Sequence, residues 1–262
     1  MHHAAFEALG LEAVYAPFDV PPRQLAGVLR GLAACRVDGL NVTVPHKERL
    51  LAALGRSLEL SADAAQVGAV NTLVARGDGF VGHNTDLEGI ERTITEELRL
   101  DVRGQRVLVL GAGGAARAVV VALDRLGVGA ILVANRTKAR AQALRRHVVV
   151  AADLRIVEWD PRALRQAAAD ASLLINATSL GLQARDPLPV ASSMLRRDLA
   201  VFDLVYPATR LVRQARRRGA LAVDGIAMLV YQGAAAFRLW WQRPAPVDVM
   251  RRAVEQAVRR RR

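Results

Sequence analysis

GQRVLVLGAGGAARAVVVALDRLGVGAILVANRTK, residues 104–138, is the stretch that decides the fold. Arg106–Leu110 is a short apolar run bounded by glycines, the mark of a buried parallel strand. A glycine-rich turn follows, then an Ala/Val/Leu-rich helix to about Leu126, a stop at Gly127–Gly129 and a second strand at Ala130–Ala134. That order makes a βαβ unit with a right-handed crossover. The turn itself, Gly111, Ala112, Gly113, Gly114, Ala115, Ala116, fits G-x-G-x-x-A. Alone this is a weak pattern, but between a strand and a helix it acquires a mechanism. Gly111 permits the tight turn, Gly113 lets backbone approach a pyrophosphate, and Ala116 allows close helix–strand packing with the helix N-terminus facing the phosphates. A glycine turn without a ligand is the alternative reading.

The end of the second strand identifies the dinucleotide. A carboxylate there would hold the ribose hydroxyls of NAD and repel a 2′-phosphate. This chain instead has Asn135, Arg136 and Thr137, followed by Lys138 and Arg140. An amide, a guanidinium fork, a hydroxyl and nearby cations suit a phosphate through charge-assisted hydrogen bonds. The expected cofactor is NADP.

Working outward, strand-like runs recur at Leu154–Val157, Leu173–Ile175, Ala200–Leu204 and Ala220–Val223, alternating with helical stretches as a doubly wound sheet requires. Before residue 104 a different α/β pattern appears. Val14–Pro17 reads as a strand, Pro22–Ala34 as a helix and Gly39–Val44 as a strand. Lys47–Leu54 opens another helix, Ala69–Arg76 and Gly79–Gly82 form a hairpin, and Asp86–Glu97 is a helix. Residues 226–241 and 246–258 read as two further helices. The expected fold class is therefore α/β with two domains. Residues 1–88 and 226–262 are expected to form one α/β domain, the C-terminal helices returning to it, and residues 89–225 a Rossmann-type doubly wound NADP-binding domain.

Composition limits the function classes. The 262 residues are 52% hydrophobic, enough to build cores and far from a disordered composition. No apolar run reaches the roughly 18 residues of a membrane span, and no signal-peptide pattern opens the chain. A net charge of +12 raises the question of nucleic acid, but the arginines are dispersed over helices without aromatic interleaving or a recognition motif. Solvated Arg-rich faces are the preferred reading, and such a surface also suits anionic ligands. The single cysteine, Cys35, forms no internal disulfide, fits a reducing cytoplasm and is expected to be a small buried side chain. The histidines show no ligand spacing, so no metal is expected.

Three polar segments lie before the dinucleotide turn. NVTVPHKE (41–48) runs from a strand into a helix carrying Lys47. GAVNTL (68–73) and HNTD (83–86) place Asn71 and Asp86 at a strand end or turn. Ligands of open α/β sheets sit outside the carboxyl ends of strands, so these segments are candidates for one polar pocket charged by one lysine and one aspartate.

NVTVPHKE, GAVNTL, NTD, GAGGA, NRT, NATSLG, DLVY and GIAMLVYQGAAAF, in this order and spacing, resemble the shikimate dehydrogenase family from the first residues to about Trp241. The resemblance implies reversible, NADP-linked reduction of 3-dehydroshikimate to shikimate, on the route to chorismate and the aromatic amino acids. Carried over by residue, Lys47 and Asp86 match the catalytic pair, while Thr43, Asn71, Tyr206 and Gln232, with Lys47 and Asp86, match substrate contacts. Gly111, Ala112, Gly113, Gly114, Ala115, Asn135, Arg136, Thr137, Lys138, Arg140, Leu204 and Gly225 match cofactor contacts. An ordinary lysine is protonated at neutral pH and can protonate the ketone oxygen as hydride arrives, with Asp86 holding it in place. The expected partners are this small-molecule substrate and, as one option, a second copy in a homodimer, with no nucleic acid and no membrane. Alternatives are a relative acting on quinate or an amino-shikimate, and a non-catalytic NADP-binding chain.

Three departures from the family pattern stand out. DLVYPATRLV is shorter than the usual segment, Leu182 and Leu204 replace sulfur-containing residues, and the opening strand with its S-x-S turn has no counterpart. MHHAAFEALG, residues 1–10, resembles the family's first helix. Met1 is therefore expected to correspond to an internal methionine, and the chain to be less stable and to bind shikimate more weakly than an extended form.

Overall fold

The computed structural model describes residues 1–43, 46–47, 50–51, 58–183 and 185–260. Two units are distinct in it: Met1–Gly89 with Leu229–Arg262, and Ile90–Met228. Among the described residues of the first, β1 (Gly39–Asn41), β2 (Glu59–Leu60), β3 (Thr72–Arg76) and β4 (Gly79–His83) form a sheet in the order β1-β3-β4-β2. β3 and β4 are an antiparallel hairpin, turned at Gly77, whose φ of +57° a residue with a Cβ adopts only with strain. β1 joins β3 antiparallel and sets Asn41 opposite Thr72; β2 lies parallel to β4. The unit's helices include α1 (His2–Ala8), α2 (Leu25–Ala34), α3 (Ala62–Val67) and α4 (Asp86–Arg92). α3 starts where the Ser61 hydroxyl accepts the Ala64 N–H and stops at Gly68 in the left-handed region. Leu25 and Leu29 of α2 pack with Val42, Leu50, Leu58, Val70 and Leu73 into one core. Leu73 is fully buried there, and truncating it to alanine would cost about 2–5 kcal/mol.

Among the described residues the second unit carries six parallel strands, β5 (Arg106–Leu110), β6 (Ala130–Ala134), β7 (Asp153–Val157), β8 (Leu173–Asn176), β9 (Ala200–Asp203) and β10 (Ala222–Val223). Their order, β10-β9-β8-β5-β6-β7, is that of a doubly wound dinucleotide fold with its switch point between β5 and β8. β6, β8 and β9 are buried along their whole lengths, as strands covered on both faces must be. Helices α5 (Gly114–Arg125), α6 (Lys138–His147), α7 (Pro161–Asp170) and α8 (Arg210–Arg217) alternate with them. Leu164 and Ala168 of α7 and Leu211 and Val212 of α8 seal one face over Leu108, Leu174 and Val201. α7 is opened by Asp160, whose carboxylate accepts the Arg162 and Ala163 N–H groups, and by Pro161 at its first position.

Two helices end the chain, α9 (Ile226–Trp241) and α10 (Val247–Arg260). In the first unit the Phe6 ring of α1 meets Trp241 edge-on at 5.7 Å and lies 6.1 Å from Phe237. A Cβ on Gly39 would fall 2.1 Å from the indole nitrogen of Trp240, and that nitrogen donates to the Leu73 carbonyl at 2.9 Å. The two tryptophans therefore act in packing.

Several local expectations fail. Val14–Pro17 is not a strand: the Tyr15 N–H donates to the His3 ring at 2.9 Å instead of to a ladder, and Val14 is 84% exposed. Cys35 is exposed, because α2 ends there and Arg36 turns the backbone into the left-handed region at φ +55°. Asp86–Glu97 is not one regular helix, since α4 passes into a π-helical turn at Thr93–Glu97. Strand β2 and helix α3 were not anticipated. Of the expected helix Lys47–Leu54, residues 47, 50 and 51 are helical and the rest lie outside the described residues, as does Val44 of the expected strand Gly39–Val44.

Candidate active site

The polar site of the first unit grows from the β3–β4 hairpin. Asn71 stands at the start of β3, and Asn84, Thr85 and Asp86 follow β4 into α4. The Asn84 amide donates to the Ala69 carbonyl at 2.9 Å, and its oxygen accepts the Asp86 N–H at 3.1 Å, which fixes the entry of α4. Asp86 is 4% exposed and its two oxygens are shared out. Oδ2 pairs with Lys47 Nζ at 2.7 Å, and Oδ1 accepts Asn71 Nδ2 at 2.9 Å. A nearly buried carboxylate is thus matched by one cation and one amide, and the partly exposed lysine keeps an open side.

Around them lies a second ring of polar groups that sequence reading did not single out. Thr85 N–H donates to Asn71 Oδ1 at 2.8 Å, and the hydroxyls of Thr72 and Thr85 are 3.2 Å apart. Asn41 Nδ2 donates to Thr72 Oγ1 at 3.1 Å, and the Tyr15 hydroxyl donates to Asn41 Oδ1 at 2.9 Å. The available signal was the repeated Asn-Thr pair at 71–72 and 84–85, which the hairpin brings face to face. Thr43 is exposed and its carbonyl accepts the His46 N–H; Gln232, on α9, donates to the Leu229 carbonyl at 2.9 Å. Lys47, Asn71 and Asp86 are thus directly hydrogen-bonded together, whereas Thr43 and Gln232 are not bonded to them.

In the second unit Gly111 ends β5 at φ +114°, and a Cβ there would lie 2.7 Å from the Ala177 carbonyl oxygen. Only glycine fits this close approach at the switch point. Gly113 caps α5 in extended backbone and Gly114 is its first residue, so the turn leads directly into the N-terminus of a twelve-residue helix. At the end of β6 the Asn135 side chain donates to the Thr137 carbonyl at 2.8 Å, while Arg136, Thr137 and Arg140 are exposed. Lys138 is engaged by Glu158 in an ion pair. The glycine cradle and a strand end without a carboxylate fit NADP: Gly111–Ala115 would hold the pyrophosphate, and Asn135–Arg140 the 2′-phosphate.

Beyond β9, Leu204 donates its N–H to the Asn176 carbonyl at 3.0 Å, and a Cβ on Gly225 would meet the Leu204 carbonyl oxygen at 2.1 Å and the Tyr206 ring at 3.1 Å. The short loop after Tyr206 is already closed at Thr209, which caps α8. Beneath these residues is Asp203, fully buried and not singled out from sequence. It accepts Asn176 Nδ2 at 2.8 Å, the Val205 N–H at 3.1 Å and the Thr209 hydroxyl. Asn176 also binds Thr178 and the Leu180 carbonyl, so one carboxyl ties the loops after β8 and β9 together. Burial pushes Asp203 up to about 6, with the charge of Asp224 adding to it and the three hydrogen bonds opposing.

Comparison with known proteins agrees along the whole chain. Residues 1–73 match the shikimate dehydrogenase substrate binding domain, residues 93–224 the shikimate / quinate 5-dehydrogenase domain and residues 225–255 the shikimate 5′-dehydrogenase C-terminal domain. The chain is 44% identical to the NADP(+) shikimate dehydrogenase of Methanopyrus kandleri, over 99% of this chain and 90% of that one. It is similar to the crystal structure of Thermus thermophilus shikimate 5-dehydrogenase in complex with NADP(H) and shikimate, with a TM-score of 0.86 and 36% identity over 98% of this chain and 92% of that one. Quinate dehydrogenase of Corynebacterium glutamicum in complex with NAD gives a TM-score of 0.86 and 34% identity over 97% and 92%. With these matches running from α1 to α10, and the glycine cradle and Lys47–Asp86 pair in place, the chain belongs to the shikimate dehydrogenase family.

Proposed function

We propose that the chain catalyses the reversible, NADP-linked reduction of 3-dehydroshikimate to shikimate, with Lys47 and Asp86 as the proton-transferring pair. The observation that carries this reading is the 2.7 Å contact of Lys47 Nζ with Asp86 Oδ2, with the second carboxylate oxygen held by Asn71. Residues 1–88 and 226–262 bind the substrate, and residues 89–225 bind NADP. NADP, when bound, supplies or accepts the hydride. As negative charge develops on the substrate oxygen, the Lys47 ammonium donates a proton to it. Asp86 holds the ammonium in place through its 2.7 Å contact. In the oxidative direction Lys47 receives the hydroxyl proton. Thr43, Asn71, Tyr206 and Gln232 are assigned to the substrate, and Leu204 and Gly225 to the cofactor. Among the described residues no helix is long and apolar enough to cross a membrane, and a lone cysteine accords with a cytoplasmic setting.

Similarity to a quinate dehydrogenase favours quinate with NAD as the second reading. The absence of a carboxylate among residues 135–140 opposes the NAD part of it. Initial rates with shikimate and quinate, each with NADP⁺ and NAD⁺, separate the two. Shikimate with NADP⁺ is expected to give the highest kcat/KM, and a preference for quinate with NAD⁺ would overturn the assignment.

A further inference from the structure

The Asn71 amide is oriented by hydrogen bonds from Thr85 and to Thr85 and Asp86. The Thr85 backbone N–H, 2.8 Å from one end of the amide, can only donate, so that end is the oxygen. The other end is therefore the NH₂ group. It meets Asp86 Oδ1 at 2.9 Å and Thr85 Oγ1 at 3.0 Å. A reversed amide would set its oxygen against a carboxylate and its NH₂ against an N–H.

Thr72 completes the arrangement. Its side chain is wholly buried, it sits opposite Asn41 in the ladder, and its hydroxyl accepts Asn41 Nδ2 at 3.1 Å. The hydroxyl proton is then directed toward Asn71 Oδ1 at 3.1 Å or the Thr85 hydroxyl at 3.2 Å. Asn41 in turn is oriented by the Tyr15 hydroxyl, which donates to its Oδ1 at 2.9 Å. An unbroken run of oriented groups leads from Tyr15 through Asn41, Thr72 and Asn71 to Asp86 and Lys47.

We infer that Thr72 is a positioning residue: its hydroxyl, with Thr85, locks the Asn71 amide and through it the Asp86 carboxylate that aims Lys47. This deepens the proposed function and rests on it. Valine in place of Thr72 keeps the shape and removes the hydroxyl, leaving Asn41 Nδ2 without its Thr72 acceptor and Asn71 Oδ1 with one donor fewer.

The test compares Thr72→Val and Thr72→Ser in shikimate oxidation with NADP⁺, with thermal unfolding as the folding control. Thr72→Val is expected to lower kcat about tenfold while KM changes less than about threefold, and Thr72→Ser, which keeps the hydroxyl, to stay within about twofold of wild type. A wild-type kcat in Thr72→Val, or a serine variant as slow as the valine one, would overturn the role. If Thr72→Val does not fold, Tyr15→Phe removes only the phenol that orients Asn41. It should lower kcat about threefold, and a wild-type kcat there overturns the inference. A wild-type enzyme that does not oxidise shikimate would overturn the functional reading and this role together, whereas normal wild-type turnover with an unchanged Thr72→Val kcat sinks this role alone.

Discussion

Replacing Asp203 by asparagine should change how the protein responds to acid, and in a direction opposite to ordinary acid denaturation. The folded carboxyl, held at about 6 by burial against an ordinary 3.8, keeps a proton that the unfolded chain releases between about pH 4 and 6. Wherever the folded state binds more protons, stability rises as the pH falls. The Asp203 contribution therefore grows as the pH drops through 6 and levels off below about 4. The rise from 3.8 to about 6 corresponds to roughly 3 kcal/mol over that window. Asparagine has no such proton, so the stability difference between wild type and Asp203→Asn should shift by that amount in favour of wild type from pH 7 to 4. In scanning calorimetry this is a relative gain in Tm of roughly 6–12 °C for a unit of this size. His2, which burial pushes down to about 4, acts in the opposite sense, but it is common to both proteins and cancels in the difference. A difference that does not move with pH, or that moves against wild type on acidification, would refute the account of Asp203 as a buried carboxyl tying two loops.

Gly225→Ala places a methyl group 2.1 Å from the Leu204 carbonyl oxygen, so backbone must move. NADP⁺ affinity by titration calorimetry should fall at least about tenfold, the scale of one lost hydrogen bond to a charged group. Arg136→Ala should raise the KM for NADP⁺ by about 10–100-fold while leaving that for NAD⁺ nearly unchanged, since a charge-assisted bond to phosphate contributes about 1.5–3 kcal/mol. Equal losses with both cofactors would remove Arg136 from the 2′-phosphate site.

The second unit was largely legible because parallel strands buried on both faces must be continuous apolar runs. β5 and β6 begin and end where glycines and the polar Asn135–Arg136 step interrupt those runs. β2, two residues long, has no periodicity to read, and Val14–Pro17 has strand-like residues but no ladder partner. The site was legible where motif and chemistry coincide, at Lys47, Asp86 and the glycine turn. It was not legible at Thr72 and Asn41, which meet only through the register of β1 on β3, or at Asp203, whose burial follows from the place of β9 inside the sheet. Cys35 shows the same limit from the other side. It follows two alanines of a largely apolar helix, but its exposure is decided by where α2 ends.

In the proposed reaction Lys47, aimed by Asp86, carries the proton. Steady-state oxidation of shikimate with NADP⁺ by Lys47→Ala tests this most directly. General acid–base catalysis of this kind contributes about 10²–10⁴ in rate, so kcat should fall by that factor while KM stays within about threefold of wild type. A variant that keeps its kcat and raises only KM would show Lys47 to be a binding group and contradict the account.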